Sequence, residues 1–345
     1  MMYGQKIQSM TLLAQIGQKM KRLIFLRDDA LVNLRIHIKK HIATISPEQE
    51  SAIQVLLNSI AIPPVANLDP AGMVPKMENI FKTYDHYLKN GLKRVVNAPN
   101  LEPISQSDLE NLTNSLEVAI KLNIFYKVVE HFVKLAKKGG LMWVYTLSMQ
   151  LPMLMDMAES LGAASGHFQS GLPIGDGFGP MVASKLSAGG VESCSDPETS
   201  VKDLTFEGRR LVVVKARGPG GSVGNPGQVT QDVIQTTQPA LVISIDAGLR
   251  LESEKTGEVS EGVGVAMGGP GMDRFRIEES LAIFHIPILT VVCKMSMKEA
   301  ISAMPKEVLD QVDPVIERVK RMILENTERS QSVVVIGVGN TMGVE

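Results

Sequence analysis

The chain has 345 residues, 44% hydrophobic and 21% charged, a length and balance that suit two globular domains and exclude the disordered and collagenous classes. Two cysteines, Cys194 and Cys293, are too few for a disulfide scaffold or a four-cysteine zinc site and fit a reducing, cytoplasmic setting. The net charge of −2 divides into +6 over residues 1–150 and −8 over residues 151–345, so nucleic acid is not an expected partner of the acidic half.

In residues 1–40 eight cations, Lys6, Lys19, Lys21, Arg22, Arg27, Arg35, Lys39 and Lys40, face only Asp28 and Asp29. Such a basic helix reads first as a solvated face. Second, it is a candidate contact for a membrane surface or a protein partner, peripheral to the membrane. His37 and His41, four apart, read as surface residues on it. Pro63, Pro64, Pro70 and Pro75, the Asn-Ala-Pro-Asn run at 97–100 and Gly139-Gly140 punctuate further helices. Ser105 with Asp108 starts one of them in the manner of a capping box. Leu112, Leu116, Ile120, Ile124, Val128 and Phe132 then recur every four residues.

Residues 141–157 (LMWVYTLSMQLPMLMDM) fall at the short end of a membrane span and contain Gln150, Pro152 and Asp156. A span needs about 20 largely apolar residues, so a buried helix is expected, with Met149, Met153, Met155 and Met157 as core filler and room for a homo-oligomeric helical contact. Residues 1–166 are thus expected to form an all-helical domain.

Residues 167–345 change texture. Short β-branched runs at 211–215, 241–245, 263–267, 288–292 and 333–336 predict five strands, and 180–186, 229–235, 277–284 and 306–325 predict helices between them. The fold class is therefore α/β, with a mostly parallel or mixed five-stranded sheet after the helical domain. In such sheets ligands bind outside the carboxyl ends of the strands, which directs attention to the loops there.

Three loops carry G-x-G, at Gly218/Gly220, Gly262/Gly264 and Gly337/Gly339, but the next glycine lies four positions on rather than three. With no dinucleotide fingerprint and no P-loop, no nucleotide cofactor is expected. In the 218–227 loop, Gly218, Gly220, Gly221, Ser222, Gly224 and Asn225 either cradle an anion or carboxylate with backbone N–H groups or form a structural turn. Asp176, between glycines at a helix start, and Asp246, ending an apolar strand, are each explained singly by capping. As a pair at strand ends they can hold a metal-activated water or share a proton. His285 is expected to close a helix, and Cys293 to lie in the core.

Over nearly its whole length the chain resembles an uncharacterised archaeal family, a domain of unknown function. The resemblance rests on PIGDGFGPMV at 173–182, VKARGPGGSVGNPG at 214–227, the stretch from 248 to 269 and IGVGNTMG at 336–343. It implies no activity. Relatives often begin with a hydrophobic membrane anchor, and this chain is expected to start just after that point.

GDGFGPMVASKL at 175–186 also looks like the acidic Gly-x-Gly-Pro segment of hydrogenase-maturation endopeptidases, with a similar aspartate segment in the spore germination protease family. That likeness implies a phosphorylase/hydrolase-like fold. It places an acidic metal ligand at Asp176, a second functional aspartate at Asp246 and a glycine-rich hairpin at 258–269. Where those endopeptidases have a ligand histidine, this chain offers only Asp273. The family strand ending G-x-G-N, which leads into the aspartate segment, corresponds here to Gly337-Val338-Gly339-Asn340 at the end of the chain. A circular permutation is therefore expected, with the last strand inside the sheet and Asn340 beside Gly175.

Two functions follow as expectations. One is a peptidase- or amidase-like hydrolase using Asp176 and Asp246, with or without a divalent metal held also by Asp273, and with the 218–227 loop, Gly339 and Asn340 as ligand or oxyanion donors. The other is a non-enzymatic, membrane-proximal module that binds a ligand or partner.

Overall fold

The computed structural model describes residues 2–63, 72–97, 103–138, 141–193, 196–269 and 271–345. Cys194, Pro64, Pro70, Ala98 to Asn100 and Gly139-Gly140 lie outside them. Two compact units form: Met1–Ile60 with Tyr87–Ser170, and Ala61–His86 with Gly171–Glu345.

The first unit is helical. It contains α1 (Met2–Ile38), α2 (Pro47–Leu57), the later turns of α3 (Met73–Val96), α4 (Gln106–Lys137) and α5 (Leu141–His167). Ser46 and Gln49 form a reciprocal capping box that starts α2, and the Ser105 hydroxyl accepts the Asp108 N–H at 3.1 Å to start α4. Leu23 and Leu34 of α1 are buried, as are Leu88 and Leu92 of α3 and Leu109, Leu112 and Leu116 of α4.

Two expectations are corrected here. His37 is buried, not superficial, because it points from α1 to α4, where its Nδ1 meets the Ser115 hydroxyl at 2.9 Å. Of the α5 methionines expected in the core, Met155 is buried but Met149 and Met153 are 82% and 69% exposed, since they fall on the helix face opposite Leu147, Leu151 and Met155. Among the described residues no helix is long and apolar enough to cross a membrane.

The second unit is built on a mixed sheet of seven strands in the order β1-β2-β3-β7-β4-β6-β5. The strands are β1 (Val191–Glu192), β2 (Thr199–Phe206), β3 (Arg209–Ala216), β4 (Leu241–Leu249), β5 (Val259–Val263), β6 (Ile288–Met295) and β7 (Ser332–Gly337). The central four, β3, β7, β4 and β6, are parallel, while β1, β2 and β5 pair antiparallel at the edges.

The expected five strands thus become seven. β2 (TSVKDLTF) mixes charge into its alternation, as suits an antiparallel strand with one wet face, and Glu207-Gly208 at positive φ turns it into β3. The run at 263–267 is not a strand. β5 lies earlier and ends where Gly264 takes φ +108°.

Helices cover both faces. α6 (Phe178–Leu186) and α11 (Val312–Asn326) pack on Leu211, Val213, Ile243, Ile245, Val333 and Val335. α7 (Pro226–Thr237) and α8 (Met272–Phe284) pack on Val212, Val214, Val242, Val334 and Ile336. Alternate residues of each strand therefore feed opposite cores. Two short helices, α9 (Met297–Ala300) and α10 (Lys306–Leu309), precede α11. The single helix expected over 306–325 breaks because Pro314, lacking an N–H, is suited only to a first turn. His285 closes α8 in the left-handed region, and Cys293 is fully buried, its thiol pushed up to about 12 by burial.

Candidate functional site

β7, the last strand in the sequence, lies inside the sheet between β3 and β4. Its pairing with β4 stops at Ile245 opposite Gly337. Beyond that point the chain bends through Val338 and Gly339 toward a 3-10 turn that runs from Gly175 to Gly177. Gly339 has φ +133°, and a Cβ there would overlap the Asp176 carbonyl oxygen. Gly179 is hemmed in on two sides, since a Cβ would overlap the carbonyl oxygens of both Val338 and Ile245. The start of α6 is thereby seated on the carboxyl ends of β7 and β4.

This seating brings the two aspartates together. The Asn340 N–H donates to Asp176 Oδ2 at 2.9 Å. Asp246, 6% exposed and one residue past the last β4 residue paired with β7, accepts the Ala247 N–H at 2.7 Å and the Gly268 N–H. Burial raises the Asp176 carboxyl, against the pull of the Asn340 N–H. Burial also raises Asp246 well above the usual carboxylate range. The neighbouring charge of Asp176 adds to that rise, and the two N–H groups oppose it. The ionised charge of Asp176 thus disfavours ionisation of Asp246.

The Gly268 donor is placed by the segment after β5. The Ser244 hydroxyl, buried on β4, accepts the Ala266 N–H at 3.0 Å and lies 3.1 Å from the Thr290 hydroxyl. That bond draws residues 264–268 across β4 to Asp246. The glycine-rich composition of 258–269 was legible, but the role of Ser244 within an apolar strand left no pattern in the sequence.

The 218–227 loop is tied into the protein. The Gly224 N–H donates to the Ser222 hydroxyl at 3.0 Å, and the Asn225 N–H to the Thr199 hydroxyl at 2.8 Å. The Asn225 amide reaches Glu198 at 3.2 Å. Thr341, fully buried, donates its N–H to the Ser222 carbonyl at 2.9 Å, and its hydroxyl lies 2.8 Å from the Gly220 carbonyl. Gly343 donates to the Pro219 carbonyl at 2.9 Å, and a Cβ on Gly218 would overlap the Val344 carbonyl oxygen. Gly218, Pro219, Gly220 and Ser222 thus hold the chain end in position, while Asn225 ties the loop to Thr199 and Glu198. The Asn340 side chain turns back to accept the Met342 N–H at 3.0 Å.

Asp273 does not join the pair. It sits in the first turn of α8 and accepts the Gly227 N–H at 3.1 Å, serving the start of α7. Among the described residues no group of three or more His, Cys, Asp or Glu side chains is placed to hold a metal ion. The expected set of Asp176, Asp246 and Asp273 is therefore not assembled, and the chemistry below uses the pair alone.

Residues 1–171 match the family model described as "Protein of unknown function (DUF1512) N-terminal domain", and residues 174–345 match "Domain of unknown function (DUF1512) C-terminal". The chain belongs to this family. Comparison with curated proteins and with solved structures found no match for either half. The boundary between the family's two domains falls just before Ile174, the residue that leads into the Asp176 turn.

Proposed function

We propose that the second unit is a hydrolase of amide bonds in which Asp176 and Asp246 act as a metal-free acid–base pair. The observation that carries this reading is the pair itself: two carboxyl groups drawn into the protein at the carboxyl edge of a parallel sheet, each raised by burial, Asp246 further by the charge of Asp176. Asp246, raised further, is the protonated member, and Asp176 is the base. Asp176 takes a proton from water as its oxygen attacks the carbonyl carbon, while Asp246 gives its proton to the carbonyl oxygen. When the tetrahedral species collapses the C–N bond breaks, the proton on Asp176 passes to the leaving nitrogen, and a hydroxyl of the new carboxyl group returns a proton to Asp246. Supporting this reading are the likeness of residues 175–186 to two endopeptidase families and the central position of β7, which suits a permuted form of their fold.

The test is turnover of a panel of quenched peptides and acylated arylamides in solvent enriched in heavy oxygen. The native chain should place one solvent oxygen in the new carboxylate. Asp176→Asn and Asp246→Asn should fold and lose at least about a hundredfold in rate. Variants that fold and keep the native rate would overturn the proposal.

A second reading applies to the helical unit as a contact module. Met142, Met149 and Met153 leave an apolar stripe on α5 at 67%, 82% and 69% exposure. No acid occurs in residues 2–27 or 131–155, which contain Lys6, Lys19, Lys21, Arg22, Arg27, Lys134, Lys137 and Lys138. Sedimentation with anionic against neutral vesicles tests it. Equal binding to both, or to neither, would sink it.

A further inference from the structure

β4 outruns β7. It pairs with β7 only as far as Ile245 but with β6 as far as Leu249 opposite Met295. The direction of its backbone groups follows from the bonds at its ends. Val338 donates to the Ile245 carbonyl at 2.8 Å, so odd-numbered residues face the β7 side. Val242 donates to Pro287 at 3.0 Å and Arg250 to Met295 at 2.9 Å, so even-numbered residues face β6. A ladder continued by β7 would hand the Asn340 N–H to the Ala247 carbonyl and take the Ala247 N–H on the Val338 carbonyl.

Neither bond forms. The Asn340 N–H goes to Asp176 and the Ala247 N–H to Asp246. Past that point the Ala247 carbonyl and the Leu249 N–H and carbonyl have no backbone partner among the described residues. This length of edge has none of the proline or lysine that usually blunts one: its residues are Ala247, Gly248 and Leu249. Leu249 is 65% exposed and Leu251, just beyond, 68%.

We propose that the substrate is an extended polypeptide segment that adds to the sheet as a strand along Ala247–Leu249, in the place β7 vacates, and so lays its backbone beside Asp176 and Asp246. The proposal rests on the hydrolase reading and narrows its substrate from amides in general to peptides bound through their main chain. The Ala247 carbonyl would accept a peptide N–H, the Leu249 N–H would donate to a peptide carbonyl, and Leu249 and Leu251 would favour apolar side chains at alternate positions. A small amide cannot make these paired bonds.

The test uses full-length Asp246→Asn, which should bind without turnover, and a mixed library of short peptides blocked at both ends. Library binding should slow hydrogen exchange at the Leu249 amide. Leu249→Pro deletes the edge donor while leaving the bonds to β6, because the Leu249 backbone groups face away from that strand; it should weaken binding about tenfold, and Leu249→Ala less than about threefold. The same library N-methylated at every amide should not bind, a result that stands even if Leu249→Pro does not fold. No protection of Leu249, or equal binding of the methylated library, would overturn the proposal. Turnover of a blocked arylamide by the native chain is read separately. If it occurs without peptide protection, the carboxylate reading stands and strand addition fails. Peptide protection with no turnover of any substrate leaves strand addition standing and removes hydrolysis.

Discussion

The Asn340 N–H and the Asp176 carboxylate meet at 2.9 Å across 164 positions of sequence. The same N–H in a continuing parallel ladder would have gone to β4. Two strands therefore part at a carboxylate, and β4, which runs on beside β6, supplies the second carboxylate, Asp246. The β4–β7 ladder ends in an acid pair where it would otherwise have gained another rung.

Asp246→Asn should stabilise the protein near neutral pH. Its folded carboxyl is raised well above the ordinary value, so the native state binds more protons than the unfolded state once pH exceeds the unfolded value. Stability contributed by this group is then present at low pH and lost as pH rises toward the folded value. The amide keeps an acceptor for the Ala247 N–H and carries no charge. The variant should melt a few degrees higher than the native chain at pH 7 and match it near pH 4. Calorimetry across that range checks this, and a variant that melts lower at pH 7 contradicts it.

Gly339→Ala should destabilise by about 2–4 kcal/mol, combining backbone strain at φ +133° with displacement of the Asp176 carbonyl. It should also abolish turnover, because Asn340 and Asp176 lose their register. Gly264→Ala is the control. It too has positive φ, but a Cβ there meets nothing within 4 Å, so only the strain remains, about 1–2 kcal/mol. Urea denaturation of the two variants separates strain from collision.

Much of this was legible beforehand, for physical reasons. The central strands announced themselves because a sheet covered on both faces needs continuous β-branched runs such as LVVVK and LVISI. The proximity of Asn340 to the 175–177 turn followed from a likeness in which the strand and the turn are consecutive. The edge strands were not legible, since β2 carries Lys202 and Asp203 within its alternation and β5 contains Gly262. Asp273 was misplaced because sequence separation from the hairpin says nothing of which helix start a carboxylate will face. The burial of His37 was missed because its immediate neighbours are basic, while its burial comes from α4, where Ser115 lies 78 positions away in sequence.

Lys215 is a buried cation that the proposed chemistry does not use. It is 4% exposed on β3, and its ammonium lies 3.3 Å from the Ala216 carbonyl. Burial lowers it to about 8, with Lys202 adding to the shift. Below about 8 both folded and unfolded states carry the proton and the full penalty of burying it applies; between there and 10.5 the unfolded state binds more protons, so stability rises with pH. Lys215→Met should therefore stabilise at pH 7 by on the order of 3 kcal/mol, and the gain should vanish by about pH 10.5. Paired native and variant melts at the two pH values measure it, and a gain that does not shrink with pH would assign the effect to packing instead.

His37 gives the helical unit an acid limit of its own. The Ser115 hydroxyl donates to the Asn111 carbonyl at 3.2 Å, which leaves its oxygen to accept from a neutral His37 carrying its proton on Nδ1. Burial lowers the imidazole to about 4, with Lys40 and His41 adding to the shift and Asp108 opposing it. The ordinary value is 6.5, so between 4 and 6.5 the unfolded chain binds the proton and the folded one does not. Stability of this unit therefore climbs with pH through that window and falls on acidification, by on the order of 3 kcal/mol in all. His37→Gln can still donate to Ser115 and cannot titrate, so its stability should be flat over the same range. Trp143, the one tryptophan in the chain, lies on α5 within this unit and reports its unfolding alone. Denaturant midpoints from Trp143 emission at pH 4.5 and pH 7 should separate in the native chain and coincide in His37→Gln; equal separation in both would place the acid limit elsewhere.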